Sequence, residues 1–418
     1  MSHIDHTSAL LALHGRVLRP LRRLAPLPAQ ILAVAALGCG EDATSTSGPE
    51  EYGSSALAAT SPRAPAFRQV SAGINHSCGV TRNNRAYCWG FNAQGALGDG
   101  TTTDRVRPTA VAGRLRFKQV KVGQNNSCGL TMNHRIYCWG YNVFGQLGDG
   151  TTVDRSAPVA VATSGRFRQV RLGQSHSCAI DLAGAAYCWG ANYAGQLGDG
   201  TLVMRAVPVR VLGMLQWVGL TGGGAYTCGV TTTREAYCWG ANNAGQLGDG
   251  GFTYHRQPAL VGGGLRFRQV DAGSDHTCAV TTRDRAYCWG YNFYGQLGNG
   301  TTVPQVVQVP TPVAGQRRFD TIDASLSALT CAVTLDGRGF CWGFNTHGQL
   351  GDGTITDRMV PVPIGNGLSW KQVSPGGLHS CGVASNGKAY CWGDNRAGQL
   401  GDGTQISRLL PVPVAGTI

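Results

Sequence analysis

Fourteen of the fifteen cysteines form seven pairs ten residues apart, a spacing that could give disulfides, buried thiols or zinc ligands. A hairpin centred on Asn83 places Cys78 opposite Cys88, and directly opposed antiparallel residues bring Cβ atoms to about 4.5–5.5 Å, close to disulfide reach. Two ligands per hairpin cannot complete a zinc site, and there is no Cys-x-x-Cys motif. We therefore predict seven disulfides if the chain meets an oxidising compartment. The predicted pairs are Cys78 with Cys88, Cys128 with Cys138, Cys178 with Cys188, Cys228 with Cys238, Cys278 with Cys288, Cys331 with Cys341 and Cys381 with Cys391.

Catalytic motifs are missing from the sequence. There is no Gly-x-Ser-x-Gly and no His-Glu-x-x-His, and Gly387-Lys388 is followed by Ala389 where a phosphate-binding loop needs Ser or Thr. We therefore predict no enzymatic activity, no catalytic residue, no cofactor and no metal.

Two repeated polar positions could suggest metal binding. One holds histidine in four repeats and other residues, including Leu329, in three, which favours a strand-end residue over a metal-binding ring. The other is an aspartate such as Asp99, which lacks the alternating oxygens and final Glu of an EF-hand calcium loop. We interpret it as a turn-capping residue.

The cysteines, histidines and aspartates described above all lie in a sequence repeat of about 50 residues. Seven Cys-Trp-Gly triplets, from Trp89 to Trp392, mark the repeat. Each copy contains four short strand-like runs and a Gly-rich loop, a pattern typical of a β-propeller blade. The predicted fold is all-β, a seven-bladed β-propeller with one disulfide per blade. The last blade could use strands from both ends of the chain or only from its C-terminal part.

The chain divides into three predicted parts. Residues 1–38 combine four arginines with an apolar run too short to span a bilayer, which indicates an export signal. Ala36-Leu37-Gly38-Cys39 is similar to a bacterial lipobox, so we predict lipidation of Cys39, the alternative being a plain cleaved signal. Residues 39–66 are rich in Ser, Thr, Ala, Pro and Gly and are predicted to be a flexible tether. Residues 67–418 form the propeller. The predicted location is the bacterial cell envelope, or the medium if Cys39 is not lipidated.

The repeat motif His-Ser-Cys-Gly-Val…Ala-Tyr-Cys-Trp-Gly-x-Asn-x-x-Gly-Gln-Leu-Gly-Asp-Gly-Thr resembles the regulator-of-chromosome-condensation repeat family. The resemblance covers nearly all of 67–418 and implies a seven-bladed β-propeller. Members of the family include a nuclear exchange factor for a small GTPase and a secreted bacterial inhibitor of β-lactamases. The resemblance alone thus implies guanine-nucleotide exchange as one alternative function, against which the paired cysteines argue.

The whole net charge of +12 falls on the propeller, because the charges of 1–38 and 39–66 cancel. Cationic surfaces attract acidic proteins, anionic polysaccharides and lipid headgroups. An exported protein seldom meets nucleic acid, and charge alone supports only non-specific binding, so nucleic acid is disfavoured. An arginine recurs six residues after the loop aspartate. Where Asp104 precedes Arg105 we expect these two to pair, whereas Arg205 and Arg408 lack such a neighbour.

Aromatic residues that the repeat does not require occur in the loops after each Trp, and homologous propeller loops lie on one face. Exposed aromatics on one face favour a protein or glycan contact, whereas the competing interpretation buries some of them under the loop. The leading hypothesis is a monomeric, non-enzymatic module that binds an unidentified protein and touches a membrane only through its lipid anchor. The alternative is a carbohydrate or cell-wall binder, which Tyr193 beside Asn192 keeps open. The candidate partner-binding residues are Phe144, Tyr193, Phe252, Tyr254, His255, Phe293, Tyr294, Arg205 and Arg408.

Overall fold

A computed structural model describes residues 65–416, which form seven four-stranded antiparallel sheets and no helix. The predicted all-β, seven-bladed propeller is confirmed. The first strand of each blade lines a central channel and the fourth lies at the outer rim.

The strands of blades 1 to 4 are β1 (Phe67–Ala72), β2 (His76–Thr81), β3 (Ala86–Gly90), β4 (Arg105–Ala110); β5 (Phe117–Val122), β6 (Asn126–Thr131), β7 (Ile136–Gly140), β8 (Arg155–Ala160); β9 (Phe167–Leu172), β10 (His176–Asp181), β11 (Ala186–Gly190), β12 (Arg205–Arg210); β13 (Trp217–Gly222), β14 (Tyr226–Thr231), β15 (Ala236–Gly240) and β16 (His255–Leu260). Those of blades 5 to 7 are β17 (Phe267–Ala272), β18 (His276–Thr281), β19 (Ala286–Tyr291), β20 (Val306–Pro312); β21 (Phe319–Ala324), β22 (Leu329–Thr334), β23 (Gly339–Gly343), β24 (Arg358–Pro363); β25 (Trp370–Pro375), β26 (His379–Ala384), β27 (Ala389–Gly393) and β28 (Arg408–Pro413).

The cysteine register follows the prediction. Cys78 pairs with Cys88 across β2 and β3, and Trp89 lies opposite Ser77. All seven predicted disulfides are present, with Cα–Cα distances of 4.0–4.1 Å. Each disulfide links the two middle strands of one blade, where the cysteines are buried. Beyond blade 1, the disulfides join Cys128 to Cys138, Cys178 to Cys188, Cys228 to Cys238, Cys278 to Cys288, Cys331 to Cys341 and Cys381 to Cys391.

The hydrophobic core lies between blades and repeats around the ring. Phe117 and Trp139 of blade 2 pack against Cys78, Cys88 and other buried residues of blade 1. The Trp139 indole N–H donates a hydrogen bond to the Ala96 carbonyl of blade 1 at 2.9 Å, which satisfies its one polar atom. The Trp side of one blade thus packs on the Cys side of its neighbour.

The ring closes without strands exchanged between the chain ends, since β25–β28 form the seventh blade alone. Blade 7 joins blade 1 through the contacts that join other neighbours. The Trp89 indole N–H donates to the Gln399 carbonyl at 2.9 Å, and the Ser77 hydroxyl bonds His379 Nε2 at 2.7 Å.

The predicted export signal, Cys39 and nearly all of the predicted tether lie outside the described residues, so these assignments stay predictions. Within 65–416 no helix is long and apolar enough to cross a membrane.

Candidate functional site: two faces and a channel

The propeller has two faces built from different connections. We call loop face the side formed by the β1–β2 and β3–β4 connections of each blade. We call hairpin face the side formed by the β2–β3 turns and the connections from one blade to the next. The candidate partner-binding residues all belong to the loop face or its edge.

The β3–β4 loop is held by a repeated side-chain network. In blade 1, the Asn92 side-chain carbonyl accepts from the Leu97 amide at 2.9 Å, and its NH₂ group donates to the Thr101 and Thr103 carbonyls. The Asp99 carboxylate accepts from the Thr101 amide at 2.9 Å. Burial raises the pKa of Asp99, but hydrogen bonds from Thr101 and Arg105 outweigh it and hold the pKa below its usual value. The turn-capping interpretation of these aspartates fits this network.

The repeated arginines pair with the aspartate six residues earlier. Arg105 Nη2 lies 2.8 Å from Asp99 Oδ2, so the predicted pairing with Asp104 is wrong. The physical reason is that the Asp104 carboxylate accepts the Asn92 backbone N–H at 2.7 Å. Asp99 instead presents its second oxygen to the arginine.

Three candidates, two arginines and a histidine, occupy this repeated position, and each contacts the aspartate of its own loop. Arg205 Nε lies 3.1 Å from Asp199, His255 Nε2 lies 2.7 Å from Asp249, and Arg408 Nε lies 3.4 Å from Asp402. All three remain partly exposed, and a role in partner binding stays a prediction.

The exposed aromatic candidates concentrate on blades 3, 4 and 5. Tyr193 is 62% exposed, Phe252 51%, Tyr254 50% and Phe293 47%, and Tyr294 is half-buried beside Phe293. We call these five residues the aromatic sector. Blades 3, 4 and 5 are consecutive in the ring and contact one another in turn. Partial burial raises the pKa of Tyr193, with smaller contributions from Asp275 and Tyr254.

Stacked rings extend this sector towards blade 6. The Phe293 and Tyr294 ring centroids are 5.0 Å apart, and those of Tyr294 and Phe344 are 4.8 Å apart. Tyr291 stacks against Phe293 at 6.3 Å. The half-buried rings of Tyr291, Tyr294 and Phe344 and the exposed ring of Phe293 therefore form one cluster. The interpretation of the loop aromatics as buried residues fits the first three, and the interpretation as an exposed contact surface fits Phe293.

Phe144 lies in the blade next to the aromatic sector. It is half-buried in blade 2, where it packs on Tyr141 with a centroid distance of 6.4 Å. Blade 2 adjoins blade 3, which carries Tyr193, and blades 3 and 4 lie between Phe144 and Phe293. The ring contact of Phe144 is thus with Tyr141 and not with a residue of the aromatic sector.

Blades 3 and 4 replace a supporting residue of the loop by an exposed apolar one. In blades 1, 2 and 6 an aspartate before the fourth strand accepts the backbone N–H of the loop asparagine at 2.7 Å. Met204 and Tyr254 stand at this position in blades 3 and 4, where they are exposed and have no carboxylate to offer. The loops of blades 3 and 4 thus lack this hydrogen bond, whereas in blade 5 the Asn292 N–H donates to the Gln305 carbonyl at 2.8 Å.

The repeated histidines are buried contacts between blades. His76 Nε2 lies 2.9 Å from Ser127 Oγ of the next blade, and the Ser127 hydroxyl in turn donates to the Ala96 carbonyl. Burial lowers the pKa of His76 and His276 to about 3 and that of His176 and His379 to about 4. Each ring is therefore neutral at pH 7, and no group of three metal-ligating side chains occurs within the described part of the chain.

The sequence analysis missed a ring of residues around the central channel. They occupy the fifth position of the first strand in every blade and are Ser71, Lys121, Arg171, Thr221, Asp271, Asp323 and Ser374. Two basic residues thus face two acidic ones around a cavity of about 70 Å³. The signal was a column of polar and charged residues at the fifth position of the first strand, which appears only when the seven repeats are compared column by column.

The channel ring combines structural hydrogen bonds with unpaired charge. Asp271 accepts from the Ala324 amide of the next blade at 2.8 Å, but Asp323 faces Pro375, which has no N–H. Burial and the neighbouring Asp271 raise the pKa of Asp323 to about 7. Burial and the neighbouring Arg171 lower the pKa of Lys121 to about 8.

Comparison with solved structures shows the same fold. Yeast RCC1 (Prp20) bound to Kap60 matches with a TM-score of 0.70 and 19% identity, covering 89% of this chain and 91% of that one. Human WBSCR16 matches with a TM-score of 0.67 and 21% identity, covering 75% and 85%. A structure of Prp20p from Saccharomyces cerevisiae, described with its binding properties to Gsp1p and histones, matches with a TM-score of 0.64 and 22% identity, covering 74% and 80%.

Sequence comparison identifies the family. No curated protein sequence matches the chain. The model of the RCC1-like domain matches residues 33–328, well over half of the chain. Models of the regulator of chromosome condensation (RCC1) repeat match 336–383, 370–399 and 386–417. The chain therefore belongs to the RCC1-like domain family.

Proposed function

We propose that this protein is a non-enzymatic propeller whose loop face binds a partner protein through the aromatic sector. The observation that carries the proposal is the concentration of exposed aromatic and apolar side chains on blades 3 to 5. These replace, at Met204 and Tyr254, residues that support the loop in other blades.

The composition of the sector fits a protein partner. Aromatic residues and methionine are enriched in the buried centres of protein interfaces, where a few large side chains carry most of the binding free energy. RCC1-like propellers of known structure include one bound to Kap60 and one described with its binding to Gsp1p and histones. At 19–22% identity these matches show the fold alone, so guanine-nucleotide exchange is not carried over to this chain.

We further propose that the protein acts outside the cytoplasm of a bacterium, anchored through a lipid on Cys39. The export signal and lipobox pattern of 1–39 support this location. Seven buried disulfides within 65–416 support it independently, because disulfides persist mainly in oxidising compartments.

The glycan alternative rested on Asn192, which lies beside Tyr193 in the sequence. Asn192 is buried, and its side-chain NH₂ donates to Asp199 and to the Thr201 and Val203 carbonyls within its own loop. Tyr193 therefore has no neighbouring amide to offer a sugar.

Affinity capture with the full chain, under oxidising conditions, tests the proposal. Envelope and medium fractions of its own source are exposed to the wild type and to a triple variant that combines Tyr193→Ala, Phe252→Ala and Phe293→Ala. Phe91→Ala, in the β3–β4 loop of blade 1 on the other side of the same face, is the matched control. We expect one protein that is retained by the wild type and the control and lost with the triple variant, and that retains the chain in the reciprocal capture. Equal retention by all three forms, or retention of glycan instead of protein, would contradict the proposal.

A further inference from the structure

The positive charge of the propeller is concentrated on the hairpin face. The β2–β3 turns and the connections between blades together contain 14 Lys or Arg and three acidic residues. The loop-face connections, counted with the arginines in the first two positions of the fourth strands, contain seven basic and 11 acidic residues. The two faces of the disc therefore carry opposite net charge.

Most of these hairpin-face charges are not neutralised by neighbours. Of the 14 basic residues, only Arg266 and Arg338 form an ion pair with a carboxylate among the described residues. Arg82, Arg114 and Arg318 are examples that are exposed and without such a partner. Basic residues occur in the turns of six of the seven blades.

Blade 3, which has no basic residue in its turn, is apolar instead. Leu182 is exposed in that turn, and Met214, in the following connection, is 94% exposed. The Trp217 amide donates to the Gly184 carbonyl at 3.0 Å, which holds the turn and the connection side by side. Met132 and Leu335 add exposed apolar side chains in the turns of blades 2 and 6.

The chain also enters and leaves the propeller on this side. Phe67, the first residue of β1, pairs with Thr81 next to the β2–β3 turn. Pro413, the last residue of β28, pairs with Tyr390 near the corresponding turn of blade 7. A segment that precedes residue 65 therefore joins the propeller at the basic face.

We propose that the hairpin face docks onto an anionic lipid bilayer. A planar array of headgroup phosphates meets the basic residues of all six blades at once, whereas a linear anionic polymer follows only an arc of the ring. Exposed Leu and Met among arginines suit the boundary between headgroups and acyl chains, and would stay in water on a polysaccharide or a nucleic acid. The inference does not rest on the proposed function, and it leaves the loop face turned away from the membrane.

Vesicle flotation of the full chain tests the proposal. Every sample carries Cys39→Ser, so that no lipid is attached. Every sample also carries Arg16→Gln, Arg19→Gln, Arg22→Gln and Arg23→Gln, so that the N-terminal arginine cluster does not contribute. Vesicles of phosphatidylcholine alone are compared with vesicles that also contain phosphatidylglycerol. A hairpin-face variant with Arg114→Glu and Arg318→Glu is compared with a control with Arg107→Glu and Arg256→Glu, which changes the net charge equally at the rim and on the loop face. Unchanged melting temperatures confirm that the variants fold, and Arg→Gln versions of both pairs replace any that does not.

Binding is expected to be stronger with phosphatidylglycerol than without it, and this difference is expected to shrink with added salt. Each basic residue near an anionic surface strengthens binding about fivefold, so the hairpin-face reversals should weaken it by about 100-fold or more and the control by only a few-fold. Met214→Ser should weaken binding a few-fold without changing its salt dependence. Equal losses in both double variants, equal binding to neutral vesicles, or binding to soluble dextran sulfate but not to vesicles would each overturn the proposal. The last result would assign the face to an anionic polysaccharide.

Discussion

The interfaces between blades and the two exposed faces of this propeller differ in how closely they keep the sequence repeat. Each interface repeats the same Trp, disulfide and loop glycine contacts, with few changes around the ring. The faces instead differ from blade to blade, with aromatics on one side of the loop face and arginines over most of the hairpin face. The comparison teaches that the repeated residues fix the structure, and that departures from the repeat indicate where partners bind.

The largest effect expected at the interfaces is a loss of stability in acid. Below pH 6.5 the unfolded chain takes up protons on the four repeated histidines, whereas the folded chain does so only near pH 4 or below. The free energy of unfolding should therefore fall from pH 6.5 to pH 4, by roughly 3 kcal/mol for each histidine. Denaturant unfolding as a function of pH measures this.

The variant His76→Asn isolates one of these contributions, since Asn126 fills the same position in blade 2. It should flatten the pH dependence by about a quarter of the histidine term. Equal curves for the wild type and His76→Asn would show that this histidine does not contribute.

A glycine pair within one loop separates packing from backbone strain. A Cβ on Gly148 would lie 2.6 Å from the Trp189 indole nitrogen, whereas one on Gly150 would meet nothing closer than 3.9 Å. Both have positive φ, of 71° and 85°. We expect Gly148→Ala to lower the free energy of unfolding by about 3 kcal/mol and Gly150→Ala by about 1 kcal/mol. Losses of the same size would mean that the blade interface adapts around the new methyl group.

Exchanging one residue between blades 2 and 3 tests whether a loop position that stabilises one blade is used for partner binding in the other. Met204→Asp supplies an acceptor for the Asn192 amide, as Asp154 does for Asn142. It should raise the free energy of unfolding by about 1 kcal/mol while weakening partner capture. Asp154→Met should lower stability by a similar amount and leave capture intact. If Met204→Asp bound the partner as well as the wild type does, this position would not be part of the binding surface.

The smallest effect is expected in the channel. The folded pKa of Asp323, about 7, lies above its unfolded value, so this residue favours the folded state at low pH and loses that contribution as the pH rises towards 7. Asp323→Asn should therefore raise the melting temperature by a few degrees at pH 8 and have little effect at pH 4. A lower melting temperature at pH 8 would show that the ionised carboxylate stabilises the channel through Lys121 and Arg171.

The fold could be predicted from the sequence because its signals are local and repeated. The ten-residue cysteine step sets the register of each hairpin, and the 50-residue period sets the number of blades. The Asp99–Arg105 pairing could not be predicted, because it depends on Asp104 turning inward to the loop amide.

The candidate site was only partly predictable. Tyr193, Phe252 and Phe293 stand out in the sequence as departures from the repeat, but which of the aromatics share a sector depends on the closed ring. The net charge of +12 does not show that the two faces differ in charge. Successive connections of a propeller blade lie on opposite faces, so residues of the two faces alternate along the sequence.

A photo-crosslinker placed on each face tests the central claim most directly. The photoreactive residue p-benzoylphenylalanine replaces Phe293 on the loop face or Met214 on the hairpin face, and irradiation in the presence of envelope and medium fractions is followed by mass spectrometry. We predict a specific protein adduct from position 293 and none from position 214. A protein adduct from position 214 alone, or the same adduct from both positions, would contradict the assignment of partner binding to the loop face.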